Sequence, residues 1–214
     1  FSWRRANPLA SIQLLLQRPG LFGLASTVFL SQLAHIVLPA VFVLYGAYRY
    51  GWDEATVGLV LAAVGVCSAI VQAGLMRRIV AALGESRTLI VGLLAGSLGF
   101  LIYAFAEIGW VFLLGIPVMA LWGIANPAAQ AMMTQRVAVD EQGRLQGAVW
   151  SVAGIAGMIG PYLYTQVFAA FIAEGAVVEL PGAPFLLAAV LLGVAAVLAL
   201  RTIQTRPRLA TETR

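Results

Sequence analysis

SQLAHIVLPA, residues 31–40, places the single histidine of a 214-residue chain among apolar neighbours, four residues before a proline. Its meaning depends on the medium, and the flanks supply that. From Leu21 to Tyr45 no charged residue occurs, and roughly 20 mainly apolar residues suffice to cross a bilayer as a helix. The whole chain agrees: it is 61% hydrophobic and 10% charged, with a mean hydropathy of +0.93. A soluble domain runs nearer ~45–50% apolar and ~25% charged. The chain reads as an all-α integral membrane protein.

Working outward from this first span, five more follow. The six are expected at about 21–45, 55–76, 88–106, 110–134, 145–172 and 183–201, as one bundle over 21–201. The fifth is expected to begin as a surface-lying helix around Asp140–Arg144. The opening FSWRRANPLA is polar, basic and lacks an initiator Met. It reads as part of a linker within a longer polypeptide, so 1–20 is expected to be a cytoplasmic linker and 202–214 a cytoplasmic tail.

Charge sets the expected orientation. With loops on alternate sides, twelve of the thirteen basic residues, all arginine, fall on one side and Arg49 alone on the other. Basic loops stay cytoplasmic, so both termini are expected inside. The net charge of +4 is then a topology signal. Nucleic-acid binding needs basic residues clustered on one folded face, and none is expected. Cys67, the sole cysteine, lies in an apolar run and reads as a buried thiol without an intrachain disulfide.

Spans one and four carry the polar residues, whereas spans three and six are nearly featureless. Polar groups in hydrocarbon belong against protein or a watery cavity. The order polar, mixed, greasy therefore occurs twice, as a 3+3 inverted repeat predicts. Pro39, Pro117, Pro127 and Pro161 fall inside spans. Each removes a helical hydrogen bond, tolerated where neighbours or water satisfy the freed carbonyl.

Enzyme chemistry finds no foothold. H-E-x-x-H, G-x-S-x-G, a P-loop and C-x-x-C are all absent from the sequence, and one His with one Cys makes no metal site. No catalytic residue, metal or cofactor is expected. What the spans offer is amides, hydroxyls, aromatics and an imidazole at helical spacing. Gln32, His35 and Pro39 share a face of span one; Ser68 and Gln72 share one of span two. Trp122, Asn126 and Gln130 line up on span four, and Ser151, Gly154, Pro161 and Thr165 on span five. One reading is a path for a bulky, partly apolar solute; the other is interhelical ties. His35, near mid-membrane, is either a tie or a pathway residue that hydrogen-bonds solute or carries a proton. Gly154, Gly157 and Gly160, with Pro161 after them, suggest a close helix crossing.

NPLAS (7–11), RYGWDEATVGLVLAAVG (49–65), ALGESRTL (82–89), NPAAQAMMTQRV (126–137), QGRLQGAV (142–149) and IGPYLYT (159–165) together carry a resemblance. The chain resembles the C-terminal six-helix half of a major facilitator superfamily transporter, in the tetracycline-resistance branch of drug/proton antiporters. The resemblance implies twelve helices in two halves. A small hydrophobic drug such as tetracycline would leave between them against protons, across a bacterial inner membrane. The partners implied are the lipid bilayer, an N-terminal six-helix half, the solute and protons.

Loop 76–87 is similar to the family's cytoplasmic gating loop, keeping Gly84 and Arg87, with Ala81 where an aspartate would stand. GMIGP (157–161) resembles a mirror of the antiporters' Gly-Pro motif. Ser68 stands where tetracycline exporters carry a histidine, which leaves His35 as the proton-coupling candidate of this half. The alternatives are export or facilitated passage of an unrelated metabolite, and a non-transporting membrane scaffold.

Overall fold

A computed structural model describes residues 15, 19–173, 175 and 178–205. The expected tail beyond 205 and nearly all of the expected linker lie outside the described residues. The described residues are helical with no strand. Span one comprises α1 (Pro19–His35) and α2 (Val37–Tyr50). Span two is α3 (Glu54–Ile70) continued by a π turn at Val71–Leu75. Span three is most of α4 (Met76–Phe105). Span four joins α5 (Gly109–Ala120), a 3₁₀ turn at Leu121–Ile124 and α6 (Ala125–Thr134). Spans five and six are α7 (Gln142–Ile172) and α8 (Ala183–Gln204).

The breaks have local causes. Pro39 lacks the N–H that would bond to the His35 carbonyl, and its ring crowds that turn; the helix breaks at Ile36. Pro127 does the same to Gly123, and the chain tightens into the 3₁₀ turn. Spans one and four are thus broken alike. Asp53 caps α3 by accepting from the Thr56 backbone N–H at 2.9 Å; hydrogen bonding from Thr56 holds its carboxyl below the ordinary value.

One sequence expectation fails here. Residues 77–87 were expected to be a loop, but helix continues through Met76–Leu83 and resumes after Gly84. A continuous apolar helical stretch of 52 residues, Glu54–Phe105, therefore holds two spans. At ~1.5 Å per residue it would be nearly 80 Å long if straight, far beyond a bilayer. Gly84, at φ 73° and ψ 166°, makes the reversal, in a region open chiefly to glycine.

Packing follows the inverted repeat. Spans three and six pack along each other, span six on span one, span three on span four, span five on span one, and span two on span four. Exchanging one with four, two with five and three with six maps this set onto itself. Spans three and six, nearly featureless in sequence, nonetheless bury one side against their neighbours. Nine residues of span six between Ala183 and Ala199 are buried, against Val57 and Val60 alone in α3. Span three lays a stripe of glycines on span four: a Cβ at Gly92 would fall 2.9 Å from the Ala125 N, and one at Gly99 3.1 Å from the Met119 Cα. Small residues permit such approach. The exposed apolar residues of these two spans fall on outward stripes, Val91, Leu94, Leu98 and Phe105 on span three and Val190, Val194, Val197 and Leu200 on span six.

Each end of the bundle is tied separately. At one end Gln135 Nε2 donates to both Glu85 carboxylate oxygens at 3.0 Å, and Arg136 donates to the Gly20 carbonyl. At the other, Tyr48 donates to Glu179 at 3.2 Å and Tyr50 to the Ala106 carbonyl at 2.8 Å. The connections 51–53, 106–108 and, of the last one, residues 178–182 therefore share one end, opposite Gly84 and 135–141.

Candidate functional site

Three spans bring their polar faces together. Gln32 and His35 of α1, Ser68 of α3 with Gln72 of the π turn, and Trp122 and Asn126 of span four line a chamber of about 370 Å³. Leu38, Val64, Ile116, Met119, Ala120, Gly123 and Pro127 supply much of its apolar wall. The volume lies in the ~300–1,000 Å³ range of small-molecule sites. Neither Asp, Glu, Arg nor Lys is among the described lining residues.

Trp122 organises the wall. Its Nε1–H donates to Ser31 Oγ at 3.1 Å, tying span four to span one. One side of the indole meets Phe100 edge-on, with centroids 5.6 Å apart, and Gly96 leaves it room. The His35 ring lies 5.4 Å from it at 53°. Across the chamber, the Gln72 amide approaches Gly123, 3.8 Å from where a Cβ would sit. The two breaks thus place His35 and Gly123, the residues whose carbonyls lose a proline-disrupted bond, on the same lining. His35 and Asn126 are exposed, so the chamber is open on one side.

The other expected pathway residues lie elsewhere. Pro39 sits beyond the chamber on exposed surface and acts on it through the break. The Gln130 Nε2 is buried without a partner among the described residues and does not reach the chamber. Ser151 and Thr165 bond back to their own helix, to the Gly147 carbonyl at 2.9 Å and the Pro161 carbonyl at 2.7 Å. The packing expected of the three glycines divides. Gly160 abuts Ile36, where a Cβ would fall 2.6 Å from its Cγ2, whereas Gly154 and Gly157 have nothing within 4 Å. Pro161 is exposed and leaves α7 unbroken. In the expected gating loop, Gly84 accepts from Thr88 Oγ1 at 2.8 Å, and Arg87 is exposed.

Two polar lining residues escaped the sequence. Ser31 adjoins Gln32 and stands one helical turn before His35, the spacing that marks a shared face. Tyr103 comes from the span read as featureless and stacks on Phe112 at 3.9 Å and 7°. It is the one polar-tipped residue of GFLIYAF, which was the available signal.

Inverted three-helix repeats around a mid-membrane polar chamber, entered by broken helices, define the architecture of secondary transporters. Residues 8–214 match the Major Facilitator Superfamily, and the chain belongs to that family. It is 37% identical over 166 residues to the class G tetracycline resistance protein of Vibrio anguillarum, covering 78% of this chain and 42% of that one. To the class C tetracycline resistance protein of Escherichia coli it is 32% identical, with the same coverage. A human relative, Hippocampus abundant transcript-like protein 1, is 28% identical over 88% of this chain and 40% of its own. The chain spans about two fifths of the length of these curated relatives.

Proposed function

We propose that this chain is the C-terminal half of a drug/proton antiporter that exports tetracycline or a similar hydrophobic solute across a bacterial inner membrane. The observation that carries the reading is the convergence of Gln32, His35, Ser68, Gln72, Trp122 and Asn126 from three spans on one chamber. Uncharged donors and acceptors at mid-depth are costly unless paired or used, and here they share one open cavity. An N-terminal six-helix half covers that opening and completes the path. Solute hydrogen-bonds the amides and lies against Trp122. The tetracycline resistance proteins among the relatives support the solute class.

His35 carries the proton of this half. It lines the same chamber as Ser68, so an imidazole moved one span over still reaches the common space. Both termini face the cytoplasm, a reading that the arginine distribution supports.

The test is tetracycline and proton flux in proteoliposomes of the full-length protein. His35→Asn retains hydrogen bonding without titrating near neutral pH; His35→Leu retains neither. Loss of coupled transport in both, with tetracycline still bound by His35→Asn, is the expected result. Loss in His35→Leu alone replaces proton carriage by hydrogen bonding, and full transport by His35→Leu overturns the role of the residue.

A further inference from the structure

A second pocket of about 650 Å³ lies at the end of the bundle where the 51–53 and 106–108 connections sit. Arg49, Tyr50 and Trp52 from the end of span one, Thr56, Val60 and Ala63 from span two, and Glu107, Trp110 and Leu113 around the start of span four contribute to its lining. The same three spans therefore line both cavities, which share no residue.

Helical spacing joins the two. On span two Thr56 and Val60 face the outer pocket, and Val64, Ser68 and Gln72 the chamber. Each is four residues after the last, a single stripe. Span four repeats this with Gly109 and Leu113 outside and Ile116, Ala120 and Gly123 within. From Thr56 to Gln72 the stripe covers about 24 Å at ~1.5 Å per residue, most of a ~30 Å hydrocarbon core. Between the cavities stands an aromatic stack. Trp52 lines the outer pocket and meets Phe112 edge-on at 5.5 Å, while Tyr103 lines the chamber and stacks on Phe112 at 3.9 Å.

The chemistry changes along the stripe. The chamber offers uncharged polar groups. The outer pocket is walled by indoles and aliphatics and carries one cation and one anion, Arg49 and Glu107. Arg49, in the last turn of α2, is the only basic residue among the described residues at this end of the bundle.

We propose that the outer pocket is a second solute station on the same path, taking a flat, largely apolar solute that bears both an acidic and a basic group. Arg49 meets the acid, Glu107 the base, and Trp52 and Trp110 the ring system. This rests on the proposed reading of the chamber as a solute path.

The test uses the full-length protein in nanodiscs, a Cys67→Ser background, and single cysteines at Thr56→Cys or Ser68→Cys. Thr56→Cys keeps the backbone N–H that Asp53 caps. Thiol labelling is titrated with rhodamine B, which carries a carboxylate and a cationic ring system, and with the ethyl ester of rhodamine B, a cation only. Two stations predict that rhodamine B protects both cysteines with different midpoints. Glu107→Gln should weaken protection at Thr56→Cys by either dye roughly two- to five-fold, the worth of an exposed ion pair. Arg49→Gln should do so for rhodamine B alone, and neither should move the Ser68→Cys midpoint. Protection at Ser68→Cys alone overturns the outer station and leaves the chamber standing; protection at neither overturns the chamber reading itself. Protection at Thr56→Cys that both charge variants leave unchanged overturns the assigned solute class. Labelling at Thr56→Cys that is suppressed without dye in phosphatidylcholine discs and restored in phosphatidylglycerol discs assigns the pocket to a lipid headgroup and also overturns it.

Discussion

Trp122→Phe probes how spans one and four are joined at the chamber wall. It removes the N–H that donates to Ser31 while leaving a ring against Phe100. Two magnitudes compete. A buried acceptor left unpaired costs about 1–3 kcal/mol. A helical hydroxyl can instead turn back to the carbonyl four residues earlier, as Thr27 does to Gly23 at 2.9 Å. Ser31 has the same recourse to Thr27, so the smaller figure governs. Interhelical hydrogen bonds in membranes average roughly 0.6 kcal/mol and reach about 1.7. A double-mutant cycle of Trp122→Phe with Ser31→Ala, read by unfolding of the full-length protein in mixed micelles, should therefore give a coupling of about 0.6 kcal/mol. Zero coupling would refute the span one–span four bond. A coupling above about 2 kcal/mol would refute the claim that Ser31 re-pairs locally.

Gly182→Ala places a Cβ inside contact distance of the Ala104 carbonyl, where backbone cannot yield. It should cost at least the ~1–3 kcal/mol of overpacking, read as lost monodisperse protein in detergent. Pro39→Ala restores the N–H for the His35 carbonyl and should straighten span one, with melting temperature raised or unchanged and tetracycline transport reduced. In a Cys67→Ser background, an impermeant thiol reagent outside cells should label Glu179→Cys and miss Glu85→Cys; the reverse would overturn the orientation.

Composition and hydropathy made the six spans legible, because crossing a bilayer imposes a length and a polarity that local sequence must meet. Rotation about each helix axis was less legible. Spacing grouped Gln32 with His35 and Trp122 with Asn126, and both pairs do face the chamber. The same spacing grouped Ser151 with Thr165, yet α7 turns those hydroxyls to its own carbonyls. A periodic stripe states which residues share a face and leaves open what the face meets. The helix through Arg77–Leu83 was missed because charged residues between two apolar runs read as a loop, whereas only Gly84 departs from helix. The outer pocket was missed because its charges were read solely as topology signals.

The central claim is that the polar faces of spans one, two and four bind solute together, and equilibrium tetracycline binding to the full-length protein tests it most directly. Asn126→Leu and Gln72→Leu each remove an uncharged hydrogen-bonding group from the chamber lining, on spans four and two. A lost hydrogen bond of about 0.5–1.5 kcal/mol corresponds to roughly two- to twelve-fold. The account predicts weakening in that range for each variant, with folding retained. Wild-type affinity in both would contradict it.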